Sequence, residues 1–154
     1  MFLACAREGL ERKRRATGEE HPDTIKAINN LALVLQTQGK LDEAETLQRE
    51  ALEKAGRIRG GENDVALSAM SNLGLLLQRR EQWSEAERHQ RAALDLGRRL
   101  YGDDHPGLPT LLSNVGSVMQ AQGRLDDAAP FRREALEMSR RLLGDHHPDT
   151  ATQL

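Results

Sequence analysis

Aromatic side chains are almost missing from this chain: Phe2, Trp83, Tyr101 and Phe131 are the only four in 154 residues. A core with so few rings must be assembled from Leu, Ala and Val. Val and Ile are too scarce for a sheet protein, whereas Leu, Ala, Glu, Arg and Gln all favour helices. An excess of basic charge is also lacking. Lys and Arg number 22 against 24 Asp and Glu, for a formal net charge of −2, which argues against bulk nucleic-acid binding. The one cysteine, Cys5, has no internal partner for a disulfide and suits a reducing compartment, so a cytoplasmic location is expected. No apolar run approaches the ~20 residues that span a bilayer, and no membrane contact is expected. Met1-Phe2-Leu3-Ala4-Cys5 lacks the basic stretch and apolar run that precede a lipoprotein cleavage site. Proline is limited to five residues, and apolar residues recur too regularly for a disordered chain.

What the sequence does have is a period. His21-Pro22-Asp23-Thr24 returns as His147-Pro148-Asp149-Thr150, with His105-Pro106 between them, all in steps of 42 or 84 residues. The middle copy falls at Asn63-Asp64, without proline. Asn30, Asn72 and Asn114 keep the same step, as do Leu35, Leu77 and Met119, and Gln36, Gln78 and Gln120. So do the small residues Ala32, Gly74 and Gly116; Ala44, Ala86 and Ala128; and Ala51, Ala93 and Ala135. Gly18, Gly60, Gly102 and Gly144 close successive units. Nothing is inserted or deleted across the array, which marks a repeat architecture.

Each unit reads as two helices. The first spans about residues 24–38 in its first copy, with Ile28, Leu31 and Leu35 on one face. Pro22, Pro106 and Pro148 suit its first turn, and the preceding His or Asn suits a cap. Gly39 and Gly123 suit left-handed terminators. Asp42, Ser84 and Asp126 are placed to cap the second helix, with Glu45 and Glu87 at capping-box spacing. That helix runs to about residue 59, 101 or 143, with Pro130 expected in its first turn. The units are then 22–60, 64–102 and 106–144. They are flanked by a second helix over 1–18 and the start of a further unit over 148–154. No dedicated polar cap is evident, so the chain is expected to be a segment of a longer array or to stack end to end.

The small residues at the eighth, twentieth and twenty-seventh positions, counted from Ile25, resemble the tetratricopeptide repeat (TPR). The unit is longer than the usual ~34 residues, and Asn-Asn-Leu-Ala, Gly-Lys-Leu-Asp-Glu-Ala-Glu and Gly-Asp-Asp-His-Pro resemble the repeats of kinesin light chain. The usual aromatics are replaced by Leu, Ile and Met. This resemblance implies an all-α, right-handed solenoid of antiparallel helix pairs, with first helices lining a concave groove. Carried over position by position, the groove-facing residues are Lys26, Asn29, Asn30, Leu33, Gln36 and Thr37 in the first unit. The second unit supplies Ser68, Ser71, Asn72, Leu75, Gln78 and Arg79. The third supplies Thr110, Ser113, Asn114, Ser117, Gln120 and Ala121.

Asn costs about 0.5 kcal/mol against Ala inside a helix, yet three copies keep it. An amide that donates and accepts can clasp a partner's backbone; it can equally bond the neighbouring helix and set the superhelix. Lys26 and Arg79 favour an acidic partner segment, or are simply solvated. Four histidines, His21, His105, His146 and His147, lie at junctions that do not converge, so capping explains them better than a metal. His89 lies alone on a second helix. Arg14-Arg15, Arg98-Arg99 and Arg140-Arg141 end second helices, as the helix dipole favours, or form a stripe for an acidic partner. Trp83 replaces Leu between helices and is expected in the core. There is no phosphate-binding loop, nucleophile elbow or paired-carboxylate cleft, and Cys5 has no His or acid partner identifiable in the sequence. We therefore expect a non-enzymatic module without cofactors that binds a protein or peptide. A structural or oligomerisation scaffold is the alternative, with an RNA reader disfavoured by the acidity and the lack of groove aromatics.

Overall fold

The computed structural model describes residues 2–143, and all regular structure among them is helical. The order is α1 (Phe2–Thr17), α2 (Pro22–Thr37), α3 (Leu41–Arg57), α4 (Asp64–Arg79), α5 (Trp83–Tyr101), α6 (Leu108–Ala121) and α7 (Leu125–Leu143), with a short 3-10 turn over Ile58–Gly61. Each helix packs on the next in sequence. In addition α2 touches α4 and α4 touches α6, so the first helices crowd together along one side of the stack.

The periodic small residues explain how closely the helices approach. Ala44, Ala51, Ala86, Ala93 and Ala135 are fully buried and Ala128 nearly so. They meet Ile25, Ile28 and Leu35 of α2, Leu73 and Leu77 of α4, and Leu112, Val115 and Met119 of α6. Gly74 is the tightest point: a Cβ there would lie 2.6 Å from Nε2 of Gln90 on α5.

The ends of the helices follow local chemistry. Pro22 opens α2, and Nδ1 of the capping His21 accepts the Asp23 N–H at 3.2 Å. Asn63 replaces the His-Pro pair and serves two helices. Its Oδ1 accepts the Ala66 N–H at 2.8 Å, while its Nδ2 donates to the Ala55 and Ile58 carbonyls at 3.0 and 2.8 Å. Gly39 and Gly123 take positive φ at the ends of α2 and α6. In the middle unit the same slot holds Glu81, at φ +61.

Four expectations are corrected. Pro106 does not open α6: a turn in which the Leu108 N–H donates to the His105 carbonyl at 3.0 Å precedes the helix, which starts at Leu108 with Pro109 in its first turn, where a missing N–H costs little. The second helices do not use capping boxes. Lys40 and Gln82 hold the N-cap positions of α3 and α5 without side-chain bonds, and Asp42 and Ser84 lie inside the first turn. Pro130 is the sixth residue of α7, inside the helix rather than in its first turn. Finally, α3 stops at Arg57, two residues early, where Arg59, Gly60 and Gly61 all adopt positive φ. The start expected at 148–154, with Pro148, His146, His147 and Gly144, lies outside the described residues.

Candidate functional site

The strip carried by α2, α4 and α6 is polar and largely open. Lys26, Asn30, Thr37, Ser68, Arg79, Thr110 and Gln120 are exposed, and Ser71, Asn72, Ser113 and Asn114 are half-buried. Leu33 and Leu75 stand 42% and 39% exposed on it, two of the few large apolar side chains at the surface. Asn29 differs: it is buried, with its side-chain oxygen unpartnered. Thr37 turns its hydroxyl back onto the Val34 carbonyl, at 2.7 Å.

Adjacent first helices are stitched across this strip. Asn114 Nδ2 donates to Ser71 Oγ at 3.3 Å, and Gln78 Nε2 donates to Ser117 Oγ at 3.0 Å. One member of the Asn column thus braces its neighbour helix, while Asn30 stays exposed. Between the first helices lies a depression of about 540 Å³ lined by Gln36, Leu75, Gln78, Arg79, Trp83 and Ser117. Gln36 is only 6% exposed and its Nε2 has no partner; Oε1 of Gln78 has none either. An unpaired buried polar group costs about 1–3 kcal/mol. Arg79 and Lys26 form no ion pair with a described residue.

Trp83 was expected in the core. It is half-buried and walls this depression from the start of α5. The only sequence signal was that an indole replaced the Leu found in that slot elsewhere.

Residues 24–64 match one tetratricopeptide-repeat group, and residues 64–131 and 107–152 match a second. The chain belongs to the tetratricopeptide-repeat family. The chain is similar to BtubC (BKLC) from P. vanneervenii, with 24% identity and a TM-score of 0.83 over 98% of this chain and 61% of that one. A Podosopora anserina protein described as a kinesin light chain with nearly identical TPR-like repeats shares 17% identity, with a TM-score of 0.81 over 98% and 72% of the two chains. The N-terminal domain of stress-induced protein-1 (STI-1) from C. elegans shares 17%, with a TM-score of 0.65 over 86% and 92%. These likenesses establish the fold, and this chain spans less than two thirds of the BtubC chain. No curated protein sequence matches at a significant level. TPR repeats generally mediate protein–protein interaction and are typically non-enzymatic.

Within this TPR stack the arginines do something the sequence reading missed. Arg7 pairs with Glu43, Arg14 with Glu50, Arg49 with Glu85 and Arg98 with Glu134, each 36 residues apart and each joining one second helix to the next. A parallel column joins helix ends to the preceding loop: Arg57 to Glu20, Arg99 to Glu62 and Arg141 to Asp104. Much of the basic stripe is therefore engaged inside the molecule. Spacings of 36 and 37 between opposite charges are not helix-surface spacings, so they signal contact only once the stacking of successive helices is known.

His21 and His105 serve the fold. His21 caps α2, and Nδ1 of His105 accepts the Gly107 N–H at 3.0 Å while its ring stacks on Tyr101, centroids 4.1 Å apart. Among the described residues no group of His, Cys, Asp and Glu could hold a metal ion, and no helix is long and apolar enough to cross a membrane.

Proposed function

We propose that this chain is a protein-interaction module that holds a segment of a partner protein along α2, α4 and α6. The carrying observation is the depression between those helices. Gln36 and Gln78 line it, each with one amide atom that has no partner, the apolar surfaces of Leu75 and Trp83 flank it, and Arg79 stands at its rim. The amides supply main-chain recognition without reading side chains. Leu33 and Leu75 supply apolar contact, and Lys26 and Arg79 favour an acidic segment. We read 22–60, 64–102 and 106–144 as the interacting units. The free, exposed Cys5 is compatible with a cytoplasmic setting.

The test is affinity capture with the wild-type chain beside two variants, Leu75→Arg and the combined Asn30→Ala, Asn72→Ala and Asn114→Ala. A partner held by the wild type and released by Leu75→Arg, with the helical circular dichroism unchanged, supports the groove. Retention by both variants overturns it. If only Leu75→Arg releases the partner, the Asn column acts as a brace between helices.

A scaffold that associates end to end is the second reading; a separate cleft of about 220 Å³ between α1 and α2, lined by Ala6, Gly9, Leu10 and Ala27 with Arg12, Lys13 and Asn30, lies on the first helix pair and could take part. Light scattering across a concentration series decides this: a strict monomer at high concentration removes the scaffold.

A further inference from the structure

The three second helices α3, α5 and α7 carry a column that the groove does not involve. It consists of Leu47, His89 and Phe131, which occupy one slot of the 42-residue period. In the last unit Phe131 packs on the core that contains Val115 and Met119, and the guanidinium of Arg91 lies over its ring, 5.3 Å from the centroid. Stepping back 84 residues, the matching floor is Leu31 and Leu35, the matching cation is Arg7 and the slot itself holds Leu47. Leucine is too short to fill the space a ring fills. What remains is a pocket of about 300 Å³ lined by those four residues with Glu43 and Thr46, opening between α1 and α3. In the middle unit His89 takes the slot, 3.6 Å from Glu85.

We propose that this first-unit pocket is a binding site for one aromatic side chain, Phe or Tyr, of a protein partner. The ring enters from between α1 and α3, rests on Leu31, Leu35 and Leu47, and lies under Arg7 as Phe131 lies under Arg91. Three observations converge on an aromatic occupant. The chain's own ring occupies the equivalent slot 84 residues on. The floor is apolar, and the volume exceeds the ~150 Å³ of a dry apolar cavity that takes up benzene. The electrostatics are complementary, because a guanidinium at the mouth attracts the negative face of a ring. Arg7 is held there by Glu43, at 3.0 Å. None of its lining residues belongs to the strip of Asn30, Asn72 and Asn114, so it stands or falls independently of the groove.

The experiment is methyl NMR on the full chain titrated with N-acetyl-phenylalaninamide. Saturable shifts of the Leu31, Leu35 and Leu47 methyls are expected, with N-acetyl-leucinamide much weaker. Leu47→Phe fills the pocket and abolishes them. Arg7→Gln weakens the probe about two- to fivefold. Phe131→Leu opens the equivalent site and adds a second set of shifts at Val115 and Met119. Absence of saturable shifts in the wild type overturns the proposal, as does persistence of those shifts in Leu47→Phe. Equal binding of the leucine probe overturns the aromatic assignment. Should Leu47→Phe fail to fold, Phe131→Leu decides: without a second site, the equivalence of the slots is wrong.

Discussion

Gln90 lies fully buried on α5 and donates its Nε2 to the Ser71 carbonyl of α4 at 3.0 Å, directly against the bare Cα of Gly74. The helix pair of the middle unit closes over this contact, and glycine is what makes room for it.

Gly74→Ala is therefore expected to destabilise the fold. A Cβ would lie 2.6 Å from Gln90 Nε2 and 2.8 Å from its Cδ, and Gln90 is fully buried and held by the Ser71 carbonyl. Overpacking costs about 1–3 kcal/mol, more than the ~1 kcal/mol that alanine gains in a helix. Gly116→Ala occupies the same slot one unit on, where the nearest neighbour is Cγ of the exposed Arg132 at 3.1 Å. There the helix gain prevails, and stability rises or stays level. Urea denaturation of both variants checks the contrast, and equal effects would contradict it.

Glu81→Gly should stabilise the chain. Glu81 holds a left-handed backbone, φ +61, in the slot that Gly39 and Gly123 fill in the other units. An L side chain there costs about 1–2 kcal/mol, offset in part by the entropy that glycine loses on folding. The expected net gain is ~0.5–1 kcal/mol, read as a rise in denaturation midpoint with unchanged slope.

Tyr101 is the one tyrosine, so its phenol can be titrated directly by absorbance. Its hydroxyl donates to Asp64 Oδ1 at 2.6 Å. That bond, then burial, then the carboxylate's charge push its pKa up to about 12. With the folded value above the unfolded one of about 10, the stabilisation is complete below pH ~10. It is lost as pH rises toward 12. Asp64→Asn should return the titration toward 10. An unchanged midpoint would show that the hydrogen bond does not hold the proton.

His89 behaves in the opposite sense. Burial, followed by the charge of Arg88, holds its pKa below the ordinary imidazole value despite Glu85 nearby, with Arg49 adding to the depression. Its Nε2 is buried without a hydrogen bond. The fold favours neutral imidazole, so this stability is present above the usual pKa of ~6.5 and lost as pH falls below it. His89→Leu restores the residue found at Leu47 and should stabilise by about 1 kcal/mol. The gain should be larger at pH 5 than at pH 8. A pH-independent change in melting temperature would assign the effect to packing alone.

The repeat was legible because packing at Ala44, Ala86 and Ala128 and at their Leu partners acts identically in every unit. Helix identity and pairing followed from it. Local competition was harder to read. A turn at His105–Leu108 delays the start of α6, and the carboxylates of Asp42 and Glu45 go to Arg80 rather than to a cap. Ties between second helices depend on how far one helix lies from the next, which a linear spacing does not display. The buried, unpartnered amide of Gln36 could not be told from its exposed repeat-mate Gln120, because the two residues are identical in sequence and differ only in what packs above them.

The two sides of the stack are made of different stuff. Uncharged polar side chains bridge one side, where α2, α4 and α6 meet and Asn114 bonds Ser71 and Gln78 bonds Ser117. The other is tied by solvent-exposed arginine–carboxylate struts such as Arg7–Glu43 and Arg49–Glu85. Ionic strength weakens only the struts. Added salt should therefore straighten or curl the superhelix, much as heat bends a bimetal strip, while the helices stay intact. Small-angle scattering at low and high salt would register this as a change in radius of gyration at constant helical content.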